Sequence, residues 1–207
     1  MEMENRLRLS RWEHALFARL NSARKVQDWL NALPFNHGNT CNSPRVAIRD
    51  GHAHCFEGAL LAAAALWAHG QKPLILDLRS TAKDFDHVVA LFKQHGHWGA
   101  ISKTNHAVLR YREPVYQTVR ELAMSYFHEY FLNQTGFKTL RSYSRPFDLS
   151  KSVEWVTTET GVEDWAVRLD ESPHHEIITR PMIASLRRAD VVERKAGEIV
   201  EWPRKSS

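Results

Sequence analysis

The sequence predicts an α+β fold in which an apolar helix packs against an antiparallel sheet. The helix is indicated by the Ala- and Leu-rich run Ala59–Trp67, which has high helix propensity and is followed by Gly70, a common helix stop. The sheet is indicated by three short apolar runs between residues 73 and 102 that are bounded by turn residues. Because the helix is apolar nearly all round, we expect it to lie inside the domain.

Helices are expected before this helix and strands after it. Residues of about 10–32 predict one or two helices, since Ser10 and Glu13 have the spacing of a capping box. Thr40–Gly51 is expected to be an ordered loop with a short extended piece. A hairpin turn around Gly96 joins the last two of the expected strands, which are Pro73–Leu78, His87–Phe92 and Trp98–Ser102.

The chain beyond the strands carries weaker signals. Pro114 suits the first turn of a helix, and apolar residues then recur at helical spacing up to about residue 132. Residues 133–160 are expected to be irregular, with a short strand near Leu140–Tyr143. A further short helix is expected at Ile183–Asp190.

The composition is that of an ordinary globular chain. Its 207 residues are 43% hydrophobic and 25% charged, which suits one core domain (residues 1–135) with a C-terminal extension (residues 136–207) packed on it.

The formal net charge of +4 is scattered, which gives poor support for a nucleic-acid partner. No apolar run reaches the roughly 18 residues of a membrane span. Because Met1–Arg6 lacks a signal-peptide pattern, we expect a cytoplasmic protein with no membrane partner.

Cys55 is the residue at which chemistry is expected. It lies in the first turn of the predicted helix, where unpaired N–H groups and the positive end of the macrodipole favour a thiolate. His52 and His54 could add positive charge. The second cysteine, Cys41, is expected to be a thiol as well, because disulfides are rare in a reducing compartment. A buried free cysteine is also a common core residue, so Cys55 needs a partner before it indicates a site.

His87 is the candidate partner. It begins the second expected strand, and the hairpin places it roughly opposite Ser102 to Thr104 on the third strand. A cysteine on a helix, a histidine on a strand and a polar group on the next strand match what thiol catalysis needs: a thiolate, a base and an orienter. A structural role for His87 is the alternative, because the chain has 12 histidines.

These residues lie in stretches that resemble the core of transglutaminase-like proteins, more specifically an uncharacterised bacterial branch of that superfamily. The resemblance covers about residues 40–112. It implies a papain-like fold with Cys55 as nucleophile, His87 as base and an acyl-enzyme formed on an amide, and we expect the additional N- and C-terminal helices to pack on that core. The stretches that carry it are Ser43-Pro44, Ala53–Ala59, Leu76–Leu78, Asp86–Phe92 and Gly96–Ser102.

The chain departs from that superfamily at the orienting residue. The superfamily usually carries an Asp four residues after a Trp on the returning strand, where this chain has Ser102 after Trp98. A serine can accept the imidazole N–H, but it supplies no charge, and a neutral replacement of the triad Asp in a serine protease costs about 10⁴ in kcat. Asn105 is a second candidate, and Asp86 is a weaker one because it points to the opposite strand face.

The expected reaction is hydrolysis of an amide or peptide bond, with a peptide or small amide as substrate. Water is always available, whereas transamidation needs a second binding surface that the sequence does not identify. The Cys55 backbone N–H is expected to stabilise the oxyanion, with Asn42 as a candidate second donor and a plain turn residue as its alternative. No cofactor is needed for this chemistry, and no acidic loop is present to hold calcium.

Three other functions stay open. The first is a catalytically weak or inactive domain that binds a peptide or a protein partner, which the serine at position 102 favours. The second is a nucleic-acid face made of scattered arginines, which lacks a recognisable module. The third is zinc binding, although no carboxylate or second cysteine lies at a familiar ligand spacing. Its candidate ligands are Cys55, His52, His54, His87, His95 and His97.

Overall fold

A computed structural model describes residues 7–200 of the chain. Within this range the fold is α+β, as predicted, with a seven-stranded antiparallel sheet. The helices are α1 Arg11–Arg19, α2 Ala23–Ala32, α3 Pro44–Asp50, α4 Cys55–Ala68, α5 Val119–Ser125, α6 Glu154–Thr157, α7 Glu163–Asp170, α8 Arg180–Ala184 and α9 Val191–Gly197. The strands are β1 Leu74–Arg79, β2 His87–Gln94, β3 His97–Ser102, β4 Arg112–Tyr116, β5 Ser142–Ser144, β6 Phe147–Asp148 and β7 His174–Glu176.

The sheet runs in the order β4-β3-β2-β1-β5-β7, and β6 pairs with β1 beside β5. In the predicted hairpin, Val89 pairs with Ser102 and Gln94 with His97, which leaves His95-Gly96 as a two-residue turn. Both turn residues have positive φ, at 50° and 81°. This backbone matches the right-handed twist of the two strands and fixes their register.

Helix α4 lies at the centre of the larger hydrophobic core. Its residues from Phe56 to Trp67 are all buried, in agreement with its apolar sequence, and it packs mainly on β2. Gly58 permits a close approach here, because a Cβ atom at this position would lie 2.4 Å from the Cβ of Lys103 just after β3. The helix start and the ends of β2 and β3 are thereby held close together.

The segment before α4 differs from the prediction. Ser10 and Glu13 form the expected capping box, and residues 10–32 form two helices. Pro44–Asp50 is also a helix, however, rather than the predicted loop with an extended piece. Ser43 caps it by accepting a hydrogen bond from Val46 N–H, and proline suits its first turn. The Ser-Pro pair is thus a helix-start signal in a segment that was predicted to be an ordered loop.

The prediction that Pro114 begins a helix is wrong. Pro114 lies in strand β4 at the sheet edge, where a missing N–H is tolerated, and the helix begins only at Val119, capped by Thr118. The helix predicted at 183–190 instead covers Arg180–Ala184. The strand predicted near 140–143 begins two residues later, at Ser142.

The C-terminal part of the chain completes the sheet. Strand β5 pairs with β1, and β7 pairs with β5, so the sheet continues across the boundary predicted at residue 135. In the range that the structure describes, no helix is long and apolar enough to cross a membrane. The predicted cytoplasmic location is not tested by this observation and stays a prediction.

Candidate active site

Three sequence-predicted residues meet where helix α4 starts. Cys55 is the first residue of α4, His87 is the first residue of β2 and Ser102 is the last residue of β3. The β2–β3 register pairs Val89 with Ser102, so His87 lies diagonally across from the serine, as the sequence predicted. Packing of α4 on β2 then brings the cysteine to the histidine.

The Cys55 thiol is strongly acidified. Its burial raises the pKa, but hydrogen bonds from the His54 and His87 side chains, the charge of His87 and the Val88 backbone N–H outweigh that effect and lower the pKa to about 5. The side chain is a free thiol and is only half-buried. The thiolate that this pKa gives at neutral pH is the form of cysteine that acts as a nucleophile.

Ser102 orients the His87 ring. His87 Nε2 lies 2.8 Å from Ser102 Oγ, and the same hydroxyl donates its proton to the Leu109 carbonyl oxygen at 2.6 Å. Because the single hydroxyl proton goes to Leu109, Ser102 must accept from His87, and Nε2 carries the ring proton. Nδ1 is then the nitrogen left to exchange a proton with the Cys55 sulfur.

The Leu109 carbonyl is held by an unusual backbone conformation. Leu109 has φ of 59°, in the left-handed region that non-glycine residues rarely adopt. Its N–H donates to Glu129 Oε2 at 2.9 Å, and the same carboxylate oxygen accepts from Arg112 at 2.7 Å. This ion pair anchors the loop that presents the carbonyl to Ser102. Strain of this kind is concentrated at functional sites.

Gln27 on α2 fixes the backbone of Ser102. Its side-chain N–H donates to the Ser102 carbonyl at 2.8 Å, and its side-chain oxygen accepts from the Ser102 N–H at 2.9 Å. Both backbone groups of the serine therefore point away from β2 and are paired as a neighbouring strand would pair them. Gln27 thus fixes the backbone at the end of β3, and this holds the Ser102 hydroxyl beside His87.

His54 is a second imidazole beside the nucleophile. Its Nε2 lies 2.6 Å from the Thr40 carbonyl oxygen. Burial lowers the pKa of His54, but hydrogen bonds to Cys55 and to that carbonyl and the negative charges of Cys55 and Glu57 outweigh this and raise it to about 9. The ring therefore carries a positive charge at neutral pH.

Glu57 organises the chain around His54. Its carboxylate is fully buried and accepts hydrogen bonds from the Asn36 side chain, the Thr40 hydroxyl and the backbone N–H groups of Asn42 and His54. Burial raises the pKa of Glu57, but these hydrogen bonds and the charge of His54 lower it below its ordinary value. The site thus contains a buried carboxylate, on the side of Cys55 that His54 occupies.

Asn42, the candidate oxyanion donor, and Asn105, the second candidate for orienting His87, have other positions in the structure. The Asn42 side chain donates to the Thr40 hydroxyl at 3.3 Å, as a residue of the loop that Glu57 organises. Asn105 lies beyond the end of β3, and it is Ser102 that meets His87. The Cys55 backbone N–H lies in the first turn of α4, where it has no acceptor within the helix and is available to an oxyanion.

Of the candidate zinc ligands, Cys55 contacts His54 and His87, but among the described residues no three of the candidates lie within metal-binding reach of one another. In the described part of the chain, the one group of three potential ligands within metal-binding reach is Asp77, Asp86 and Asp170, which contains neither cysteine nor histidine. His95 lies exposed in the hairpin turn. Acidic side chains cluster in this way without an ion, so the group is no evidence of a metal centre.

The sequence interpretation missed four residues of the site. Gln27 acts across 75 positions and Glu129 across 20, and no local pattern marks either of them or Leu109. Glu57 does have a local signal, since it lies three residues after the residue that caps α4, as in a capping box.

Comparison of the chain with models of protein families finds no match, and comparison with curated proteins finds none either. The transglutaminase-like resemblance is therefore untested by these comparisons.

Proposed function

We propose that the protein is a transglutaminase-like cysteine hydrolase with a papain-like core, which cleaves an amide or peptide bond through a thiol acyl-enzyme. The observation that carries the proposal is a half-buried Cys55 with a pKa of about 5 at a helix start, bonded to a His87 ring whose proton Ser102 fixes on Nε2. An acidified thiol, a base in contact with it and an orienter for the base are the parts that nucleophilic thiol catalysis requires.

Acylation begins from the Cys55 thiolate, whose proton His87 Nδ1 holds. The thiolate attacks the amide carbon, a C–S bond forms, and the carbonyl electron pair moves onto oxygen, where the Cys55 backbone N–H can donate to it. The tetrahedral intermediate then collapses and the C–N bond breaks. His87 returns its proton to the leaving nitrogen, so the amine departs neutral and a thioester remains.

Deacylation repeats the sequence with water. His87, now neutral, removes a proton from a water molecule whose oxygen attacks the thioester carbon. The C–S bond breaks, the carboxylic acid leaves, and Cys55 regains its thiolate beside a protonated His87. Hydrolysis is preferred to transamidation because water needs no second binding surface, and no cofactor takes part in these steps.

The hydrogen-bonded groups that orient His87, the Ser102 hydroxyl and the Leu109 carbonyl, are both uncharged. His87 is followed by a hydroxyl and then by a peptide carbonyl, so within residues 7–200 this hydrogen-bonded chain brings no carboxylate to the imidazolium. This observation favours one alternative, a catalytically weak domain whose fold serves to bind a peptide or protein partner. The two functions differ in whether Cys55 forms an acyl intermediate that turns over.

The test is acyl-enzyme trapping. Wild-type protein, Cys55→Ala and Cys41→Ala are incubated with an activated ester and with a library of peptide amides, and the intact mass is followed with time. We expect an adduct on the wild type and Cys41→Ala and none on Cys55→Ala. His87→Ala, incubated in parallel, should form no adduct with the amides, and the adduct that it forms slowly with the activated ester should persist because no base activates water. A hydroxamate formed on adding hydroxylamine would show the thioester directly. If adducts form equally on Cys41, or none forms on Cys55, the binding alternative replaces the hydrolase.

A further inference from the structure

We propose that His54 is a second catalytic residue, a permanent imidazolium that stabilises the Cys55 sulfur anion and brings the charge of buried Glu57 to the site. The inference rests on the proposed function, because it assigns a role within the same site. It concerns the imidazole that adjoins the nucleophile in sequence, whereas the thiol mechanism above uses only His87.

The contacts of His54 divide between its two ring nitrogens. Nε2 lies 2.6 Å from the Thr40 carbonyl oxygen, which can only accept, so this nitrogen must carry a proton. A hydrogen bond to the Cys55 side chain also acts on the pKa of this ring, and since Nε2 meets Thr40 we infer that Nδ1 faces the sulfur. With a carbonyl on one nitrogen and a thiolate on the other, both nitrogens act as donors, and that state is the imidazolium.

A buried carboxylate supports this charge. Glu57 Oε1 lies 3.6 Å from His54 Nε2, and Glu57 Oε2 accepts the His54 backbone N–H at 3.0 Å. The same carboxylate accepts from the Thr40 hydroxyl at 2.7 Å, so it also holds the residue whose carbonyl meets the ring. An ion pair with this many hydrogen bonds can keep an imidazole charged although its side chain is mostly buried.

The two imidazoles then have different tasks. Besides the Cys55 sulfur, His87 meets the neutral hydroxyl of Ser102, and it gives up and regains a proton once in each turnover. His54 is tied to Thr40 and Glu57, so its proton stays in place while its charge lowers the energy of the sulfur anion before attack and again when the thioester breaks. Glu57 thus provides a carboxylate on the His54 side of Cys55, where it stabilises the imidazolium of His54 and not that of His87.

The experiment measures the thiolate pKa of Cys55 from its ultraviolet absorbance against pH, in a Cys41→Ser background so that one thiol is observed. The test variants are His54→Asn, which removes the charge and places a residue favoured at helix N-caps, and His54→Lys, which keeps a charge without an imidazole. His52→Asn is the matched control, since it removes an imidazole from the same loop. Circular dichroism and urea unfolding confirm that each variant is folded.

We expect His54→Asn to raise the thiol pKa by about 1–3 units, the range for loss of an opposite charge in contact, while His52→Asn changes it little. His54→Lys should recover a substantial part of that shift. The rate of acylation by an activated ester at pH 6 should fall by the same factor as the thiolate fraction. Deacylation, which depends on His87, should change less.

The outcomes separate this inference from the proposed function. A wild-type thiol that is acidic and forms an acyl-enzyme, with a pKa that His54→Asn leaves unmoved, would overturn the role of His54 and keep the hydrolase. Equal pKa values in His54→Asn and His54→Lys would also overturn it, because charge would not be the active property. A wild-type pKa near that of a free thiol would remove both proposals together.

Discussion

Gln27 is predicted to stabilise both the fold and the active site through a single residue, Ser102. Replacing Gln27 by Ala removes the side-chain donor of the Ser102 carbonyl and the acceptor of the Ser102 N–H. Ser102 is only 1% exposed, so water cannot readily take their place. An unsatisfied buried polar group costs about 1–3 kcal/mol, and two of them give an expected loss of about 2–4 kcal/mol after partial relaxation.

The assay is urea unfolding of the wild type and Gln27→Ala, together with the rate at which iodoacetamide alkylates Cys55. Asn31→Ala is the matched control, because it removes the exposed partner of the Gln27 amide and leaves the Ser102 bonds intact. The control should lie within about 0.5 kcal/mol of the wild type. Gln27→Ala should also slow alkylation at pH 6, since a displaced Ser102 no longer orients His87. A loss below 1 kcal/mol with unchanged alkylation would refute the reasoning.

Three further predictions follow from the same region. Gly58→Ala should lower the free energy of unfolding by about 1–2 kcal/mol, as measured by thermal unfolding. The added methyl group overpacks against Lys103, and this cost outweighs the roughly 1 kcal/mol gained in helix propensity. A stabilised variant would contradict this. Leu109→Gly should be about 1 kcal/mol more stable than Leu109→Ala. Both variants lose the packing of the leucine side chain, but only glycine adopts the positive φ without strain. Equal stabilities would show that the backbone is not strained here. Because the pKa of Glu57 is lowered, its carboxylate should stabilise the fold above the ordinary pKa of 4.5, and this stability should be lost as pH falls below that value. The free energy of unfolding of Glu57→Gln, measured with urea, should therefore depend less steeply on pH in that range. An unchanged pH dependence would argue against the buried carboxylate.

Local signals predicted the parts of the fold that local interactions determine. The capping box at Ser10, the apolar helix after Cys55 and the hairpin at His95-Gly96 each depend on neighbours within a few residues. The helix at Pro44–Asp50 was missed because a Ser-Pro pair begins turns and helices alike. Pro114 was misassigned for a related reason, since only the sheet edge shows why proline is tolerated there.

The sequence predicted those residues of the candidate site that strand register and a helix start bring together. Alternation along β2 and β3 was enough to place His87 near Ser102, and the helix start identified Cys55. The clamp by Gln27 joins residues 75 positions apart, and the Glu129 contact with Leu109 spans 20. Such contacts exist only once the core has packed, so no pattern in the sequence indicates them.

The most direct test of the proposed nucleophile is the pH dependence of iodoacetamide alkylation at Cys55 and Cys41, measured by mass spectrometry in the wild type and in His87→Ala. Burial and the charges of Glu163, Glu57 and Cys55 raise the pKa of Cys41, which makes it an internal reference in the same protein.

We predict that wild-type Cys55 is alkylated rapidly at pH 6 with a midpoint near its pKa of about 5, that Cys41 reacts only in alkaline solution, and that His87→Ala moves the Cys55 profile to higher pH. A Cys55 that reacts at the pH of an ordinary thiol, or whose profile does not respond to the loss of His87, would contradict a catalytic cysteine–histidine pair.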